Sequence, residues 1–133
     1  ASTSRLPIGD SCADVVLSIF SPVFPDEFLR ILRDGGVFIQ VTPGIYHLWE
    51  LKSAVYDTPY KNEQDNFNFN GFDFINKTEI KDKIRLSSNE DIKNLFSMTP
   101  YYYNTSSSDK EKLDDLLCLD TQIHFNIATY KKS

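Results

Sequence analysis

Asp14-Val15-Val16-Leu17-Ser18-Ile19, then Pro25-Asp26-Glu27-Phe28-Leu29-Arg30-Ile31-Leu32, then Gly35-Gly36-Val37-Phe38-Ile39-Gln40-Val41: these three successive pieces set the architecture. The first is a short, nearly continuous β-branched apolar run, which suits a strand covered on both faces of a parallel sheet. In the second, a proline stands where a first helical residue tolerates it. Asp26 and Glu27 complement the positive end of a helix dipole, and Phe28, Leu29, Ile31 and Leu32 give an apolar face. Gly35-Gly36 is expected to end that helix, and Val37 to Val41 forms a second strand, broken by Thr42-Pro43-Gly44. Strand, helix and strand joined by short links make a right-handed parallel crossover, so the fold class is α/β.

Downstream, Ile45, Leu48, Trp49, Val55 and Tyr56 recur at helical spacing as far as the Asp57-Thr58-Pro59 break. Lys61 to Asn70 is asparagine-rich and without period, hence a loop. Phe72 to Leu86 mixes strand formers with Lys and Asp and reads as a long, partly exposed strand with a turn or bulge inside. Ser87-x-x-Glu90 and Ser108-x-x-Glu111 are capping-box patterns that start two further helices. The final segment alternates, with Thr121, Ile123, Phe125, Ile127 and Thr129 on one face and Gln122, His124, Asn126, Ala128 and Tyr130 on the other. No repeat or interdomain linker is visible, so residues 1–133 read as one piece.

The chain has 133 residues, and its 41% hydrophobic content with 14% aromatics is sufficient for a core. No apolar run approaches the roughly eighteen residues of a membrane span, and no signal pattern opens the chain, which points to the cytoplasm. Cys12 and Cys118 form neither a CxxC pair nor a disulfide framework and are expected as reduced thiols packed like small hydrophobes, with no metal site. The net charge of −5 argues against a free-standing basic RNA binder. Between Lys77 and Lys93, five basic residues are nearly cancelled by Glu79, Asp82, Glu90 and Asp91. Such a stretch is read as a solvated face. The opening at Ala1, without Met, followed at once by mid-domain patterning, leads us to expect a fragment.

Several segments carry a family resemblance: Arg5-Leu6-Pro7-Ile8, the Asp14-Val15-Val16-Leu17 run, and Leu29-x-x-Leu32-Arg33-Asp34-Gly35-Gly36-Val37-Phe38-Ile39. Their order resembles that of class I S-adenosylmethionine-dependent methyltransferases. Thr42-Pro43-Gly44 with His47-Leu48-x-Glu50-Leu51-Lys52, Met98-Thr99-Pro100-Tyr101, and the closing Asp120 to Ile127 are similar to segments of the bacterial large-subunit ribosomal RNA guanine-N1-methyltransferases. The resemblance implies a partial Rossmann-like class I methyltransferase sheet, its strands ordered four, five, seven, six with seven antiparallel and the first left as an exposed edge. That edge is expected to promote self-association. It also implies a zinc module and a glycine-rich loop upstream of this sequence, S-adenosylmethionine as methyl donor, and ribosomal RNA as partner.

Ligands of doubly wound sheets bind beyond the carboxyl ends of the strands. By resemblance, Ser2, Thr3 and Leu6 border the adenine of the cofactor, with Leu6 against its face. Phe20, Ser21 and Pro22 stand where relatives hold a target base, with Ser21 as the polar group and Phe20 stacking on cofactor or extruded guanine. N1 of guanine must lose a proton, and His47 is the histidine nearest the expected site, so it is the candidate base. A structural hydrogen-bonding role for His47 is the competing reading. Tyr101-Tyr102-Tyr103 is read as an edge segment that packs one ring and exposes another. Two other functional classes fit the same pattern: a class I methyltransferase for a small molecule, and a catalytically inert α/β interaction domain. Without the glycine-rich loop, residues 1–133 alone are expected to bind the cofactor weakly or not at all.

Overall fold

In a computed structural model, which describes residues 2–62 and 66–133, the first apolar run forms strand β1 (Ala13–Ile19), followed by helix α1 (Pro25–Ile31) and strand β2 (Leu32–Pro43). Then come α2 (Trp49–Val55), β3 (Phe72–Leu86), α3 (Asn89–Ser97), a 3-10 turn at Tyr102–Asn104, α4 (Ser107–Glu111) and β4 (Leu119–Lys132). The sheet order is β1-β2-β4-β3. β1 pairs with β2 in parallel, with Val15 opposite Val37 and Ile19 opposite Val41, and β2 pairs antiparallel with β4 from Val37–Lys131 to Pro43–Phe125. This is the four, five, seven, six order expected, with the last strand of the chain antiparallel and β1 at an edge.

Local chemistry explains where the elements begin and end. Helix α1 has Pro25 in its first turn and closes at Ile31, because Leu32 already has extended backbone (φ −74°, ψ 135°). The expectation that Gly35-Gly36 ends the helix is therefore corrected: both glycines lie inside β2. They form an irregularity there. From Ala13 to Val15 the register advances two positions on β1 but five on β2, from Leu32 to Val37. Gly35 has φ +74°, and a Cβ on Gly36 would stand 2.8 Å from the Arg33 carbonyl oxygen, so the excursion needs both.

The second helix also starts later than its periodicity predicts. Residues 45–48 form a turn, and Leu48 takes a left-handed conformation (φ 55°) just before Trp49. Both capping-box assignments shift as well. Ser88, not Ser87, caps α3 by accepting from the Asp91 N–H at 3.1 Å, and Ser106, not Ser108, caps α4 by accepting from the Asp109 N–H at 3.2 Å. β3 runs as one long, largely exposed strand of fifteen residues, so of the turn or bulge anticipated inside it, no turn interrupts the strand. The described part of the loop from Lys61 to Asn70 holds neither helix nor strand, and residues 63–65 lie outside the described set.

The chain separates into two compact units, each assembled from stretches distant in sequence. The first comprises Ala1–Gly44, Gln64–Ile80 and Phe125–Ser133; the second comprises Ile45–Glu63 and Lys81–His124. In the first, Phe38 is the centre of the core, stacked on Tyr130 at 5.3 Å and flanked by Phe28 at 5.2 Å and Phe72 at 5.4 Å. Leu32 and Ala128 complete that cluster. In the second, Leu48, Leu51 and Val55 pack with Ile92, Phe96 and Leu113.

β1 is covered on one face only, which corrects the two-sided expectation. Ser18 is buried, whereas Val15, Leu17 and Ile19 on the opposite face are 53%, 58% and 54% exposed. β4 has the predicted alternation, but its more deeply buried set is His124, Asn126, Ala128 and Tyr130, with Phe125, Ile127 and Thr129 half-buried. The register explains the last two: Tyr130 faces Phe38 and Ala128 faces Gln40, on the aromatic side of the sheet. Cys12 and Cys118 are both free, as expected, but exposed and not packed.

Candidate functional site

The carboxyl end of β1 lies in the first unit. There the Phe20 N–H donates to the Val41 carbonyl at 3.0 Å, extending the ladder by one bond. Phe20 itself sits at φ +50°. A bulky L-residue in that region carries roughly 1–2 kcal/mol of backbone strain, and such strain is retained where the surroundings enforce it. Its aromatic ring, just past the end of the strand, is half exposed, with its centroid 5.5 Å from that of Phe125. Ser21 and Pro22 follow on the surface, and the Ser21 hydroxyl lies 2.8 Å from that of buried Ser18.

One register step further, Thr42 stands opposite Asn126 on the sheet face shared by Phe38 and Gln40. The Thr42 Oγ1 and Asn126 Oδ1 are buried without a hydrogen-bond partner among the described residues. Polar atoms of this kind cost free energy to bury, and they collect here at the end of the sheet where doubly wound folds take their ligands. Phe20, Ser21 and Pro22 are thus brought together by one turn. Ser2, Thr3 and Leu6 belong to the same unit: Ser2 accepts from the Arg5 N–H at 3.0 Å, Thr3 is exposed, and Leu6 packs partly against the Phe38 cluster.

A cavity of about 560 Å³ lies beside that last segment, lined by Arg5, Leu6, Pro7, Ile8, Gly9, Glu27 and Arg30. Its size suits a ligand. However, two of its three charged groups, Glu27 and Arg30, are already engaged with each other, and it shares no residue with the Phe20–Pro22 turn. The strand-end geometry is the better guide to the ligand site.

His47 lies in the second unit. Its Nδ1 accepts the His124 backbone N–H at 3.1 Å, and the His124 Nδ1 accepts the Tyr46 N–H at 3.2 Å. Burial, with the nearby Lys52 and His124 charges, lowers the His47 pKa from 6.5 to about 4. A ring with its Nδ1 lone pair engaged and so low a proton affinity is neutral, carries its proton on Nε2, and is a poor general base at neutral pH. Glu50 anchors the same strand: its carboxylate accepts from the Gln122 N–H at 2.8 Å and from the Gln122 Nε2 at 2.7 Å, and hydrogen-bonding lowers its pKa against the opposing effect of burial.

Reading the sequence alone missed Lys52. It is 2% exposed, its Nζ donates to the Asn62 Oδ1 at 2.6 Å, and it lies 4.8 Å and 4.5 Å from the ring centroids of Tyr60 and Tyr101. Burial lowers its pKa. The signal was present: Lys52 occupies the i+4 position from Leu48 in an otherwise apolar stripe with Leu51 and Val55. Of the tyrosine triplet, Tyr101 is half-buried against this lysine and Tyr103 is 84% exposed, in line with the packing reading.

The fold is that of the class I methyltransferases. It matches a crystal structure of a Bacillus halodurans protein provisionally assigned as a methyltransferase, with a TM-score of 0.55 and 10% identity over 99% of this chain and 75% of that one. Within that class the sequence is similar to 23S rRNA (guanine-N1)-methyltransferases. A Bacillus subtilis protein provisionally given that name is 45% identical over 60 residues, 44% of this chain and 21% of the relative. The 23S rRNA (guanine(748)-N1)-methyltransferase of Streptomyces fradiae is 46% identical over 50 residues, 38% of this chain and 18% of the relative. A Micromonospora griseorubida protein with the same provisional naming is 43% identical over 47 residues, 35% of this chain and 16% of the relative. The chain thus matches about a fifth of the length of these relatives. No protein-family model matches it.

Proposed function

We propose that residues 1–133 are the C-terminal portion of an S-adenosylmethionine-dependent methyltransferase whose complete polypeptide acts in the cytoplasm on N1 of a guanine in large-subunit ribosomal RNA. The observation that carries this reading is the 43–46% identity to three relatives, all named for that reaction. The upstream portion would hold the glycine-rich loop and a zinc module.

When bound, S-adenosylmethionine supplies an electrophilic methyl group for an in-line displacement, so the protein's work is alignment and exclusion of water. Leu6 and the Ser2–Thr3 backbone and hydroxyls suit the face and polar edge of an adenine. Phe20, just past the strand end, is the stacking surface for an extruded guanine, Ser21 hydrogen-bonds its edge, and Pro22 fixes the turn. His47 acts as a neutral hydrogen-bonding and positioning residue, and the proton of guanine N1 passes to solvent.

The exposed apolar side of β1 and its place at the sheet's edge lead the isolated chain to pair with a second copy of itself. A class I methyltransferase acting on a small molecule is the second reading, favoured by the net charge of −5, which gives an isolated chain little hold on phosphates.

The test is to incubate the complete polypeptide with S-adenosylmethionine and 23S ribosomal RNA, then to map reverse-transcription stops. A methyl group on N1 blocks the Watson–Crick edge. The expected outcome is one stop at a guanine, at least tenfold weaker with Phe20→Ala, roughly the value of one base–aromatic stack. Absence of any stop with an active, cofactor-binding protein would favour the small-molecule reading.

A further inference from the structure

We infer that Glu27 and Arg30 are the positioning pair of the methyl-donor site, holding the segment Leu6–Asp10, and with it the Ser2–Arg5 turn, in its course along α1. The inference rests on the functional reading above, which places Leu6 and the Ser2–Thr3 turn at the adenine. Neither residue contacts that ligand in this assignment; they act through the segment.

The geometry is specific. The Glu27 Oε2 accepts the Leu6 N–H at 2.9 Å, and its Oε1 accepts from the Arg30 Nε. Arg30 spreads its remaining donors along the same segment. Nη1 donates to the Ile8 carbonyl and to the Asp10 Oδ1, each at 2.8 Å, and Nη2 donates to the Leu6 carbonyl at 3.2 Å. The Arg30 carbonyl in turn accepts the Ser11 N–H at 2.9 Å. Residues 6, 8 and 10 are therefore all tied to two side chains one helical turn apart. Only a planar guanidinium with several fixed donors can serve carbonyls and carboxylates together in this way.

Packing does only part of this work: Leu6 rests partly against the Phe38 cluster, and the residues after it are exposed. The segment has no helix or strand of its own, and a cavity of about 560 Å³ is lined by its residues 5–9 together with Glu27 and Arg30. Where backbone borders an open depression it has fewer neighbours to pack against, so its hydrogen bonds carry more of its placement. Arg33 provides the contrast. It pairs with Asp14 on the surface and donates to the carbonyl of its own neighbour Asp34.

Two measurements test the pair. Amide hydrogen exchange on this chain reads the Leu6 N–H directly, and calorimetry on the complete polypeptide reads affinity for S-adenosylmethionine. With Arg30→Ala or Glu27→Ala, Leu6 should exchange faster and the cofactor should bind roughly tenfold more weakly, the equivalent of one charge-assisted hydrogen bond. Glu27→Gln and Arg30→Lys should give intermediate values, which guards against variants that fold poorly. Arg33→Ala removes the same charge and should change neither readout. A freed Leu6 amide with unchanged cofactor affinity would overturn the inference. If the wild-type complete polypeptide binds no cofactor at all, the functional reading fails and the inference falls with it, an outcome told apart from the first because the wild type itself is silent.

Discussion

His47 shows how a residue's neighbours revise its chemistry. By position it is a candidate base, yet its Nδ1 accepts the His124 N–H and its pKa is lowered to about 4. Linkage turns this into a stability prediction. Between about pH 6.5, the unfolded value, and about 4, the unfolded chain binds a proton that the folded chain refuses, so stability present above 6.5 is lost as pH falls through that window. On the order of 2 kcal/mol is at stake for this partly exposed ring. Urea denaturation at pH 7 and pH 4.5 should show the wild type losing more than His47→Asn by about that amount, whereas equal losses would contradict the assignment. The identity of His47 was legible in the sequence, but its role was not, because the decisive partner is a backbone amide 77 positions away. Lys52 was equally hidden: a lysine in an apolar stripe is visible, but its tyrosine and asparagine surroundings come from separate segments.

Among the elements, strand and helix order was readable because period and chain punctuation agree. The boundaries were less so. Ser87 and Ser88, or Ser106, Ser107 and Ser108, offer equivalent hydroxyls, and the structure uses the one whose i+3 amide belongs to Asp91 or Asp109. A Ser-x-x-Asp spacing competes with Ser-x-x-Glu, and the pattern alone cannot choose between them. Gly35-Gly36 misled for a related reason: adjacent glycines serve a helix end and a strand irregularity equally well. β1 has the most direct consequence. Its apolar run was read as buried on both sides, yet alternate residues are more than half exposed in a strand at the sheet's edge. Sedimentation over rising concentration should reveal species heavier than one chain, shifted toward the monomer by Leu17→Lys. A wild type that stays monomeric throughout would contradict this.

At the scale of the whole molecule, two compact units are each made from discontinuous stretches, so no composition break or linker marks them along the sequence. The sheet order followed from the family resemblance and is the one observed. The Glu27–Arg30 clamp and the left-handed Phe20 were not legible, since each depends on backbone geometry that no local pattern encodes. The central claim is that this fold is one part of a cofactor-dependent methyltransferase. Its most direct test is calorimetric titration of S-adenosylmethionine into residues 1–133 and, separately, into the complete polypeptide. The account predicts binding to the complete polypeptide and little or none to residues 1–133 alone; no binding to either would contradict it.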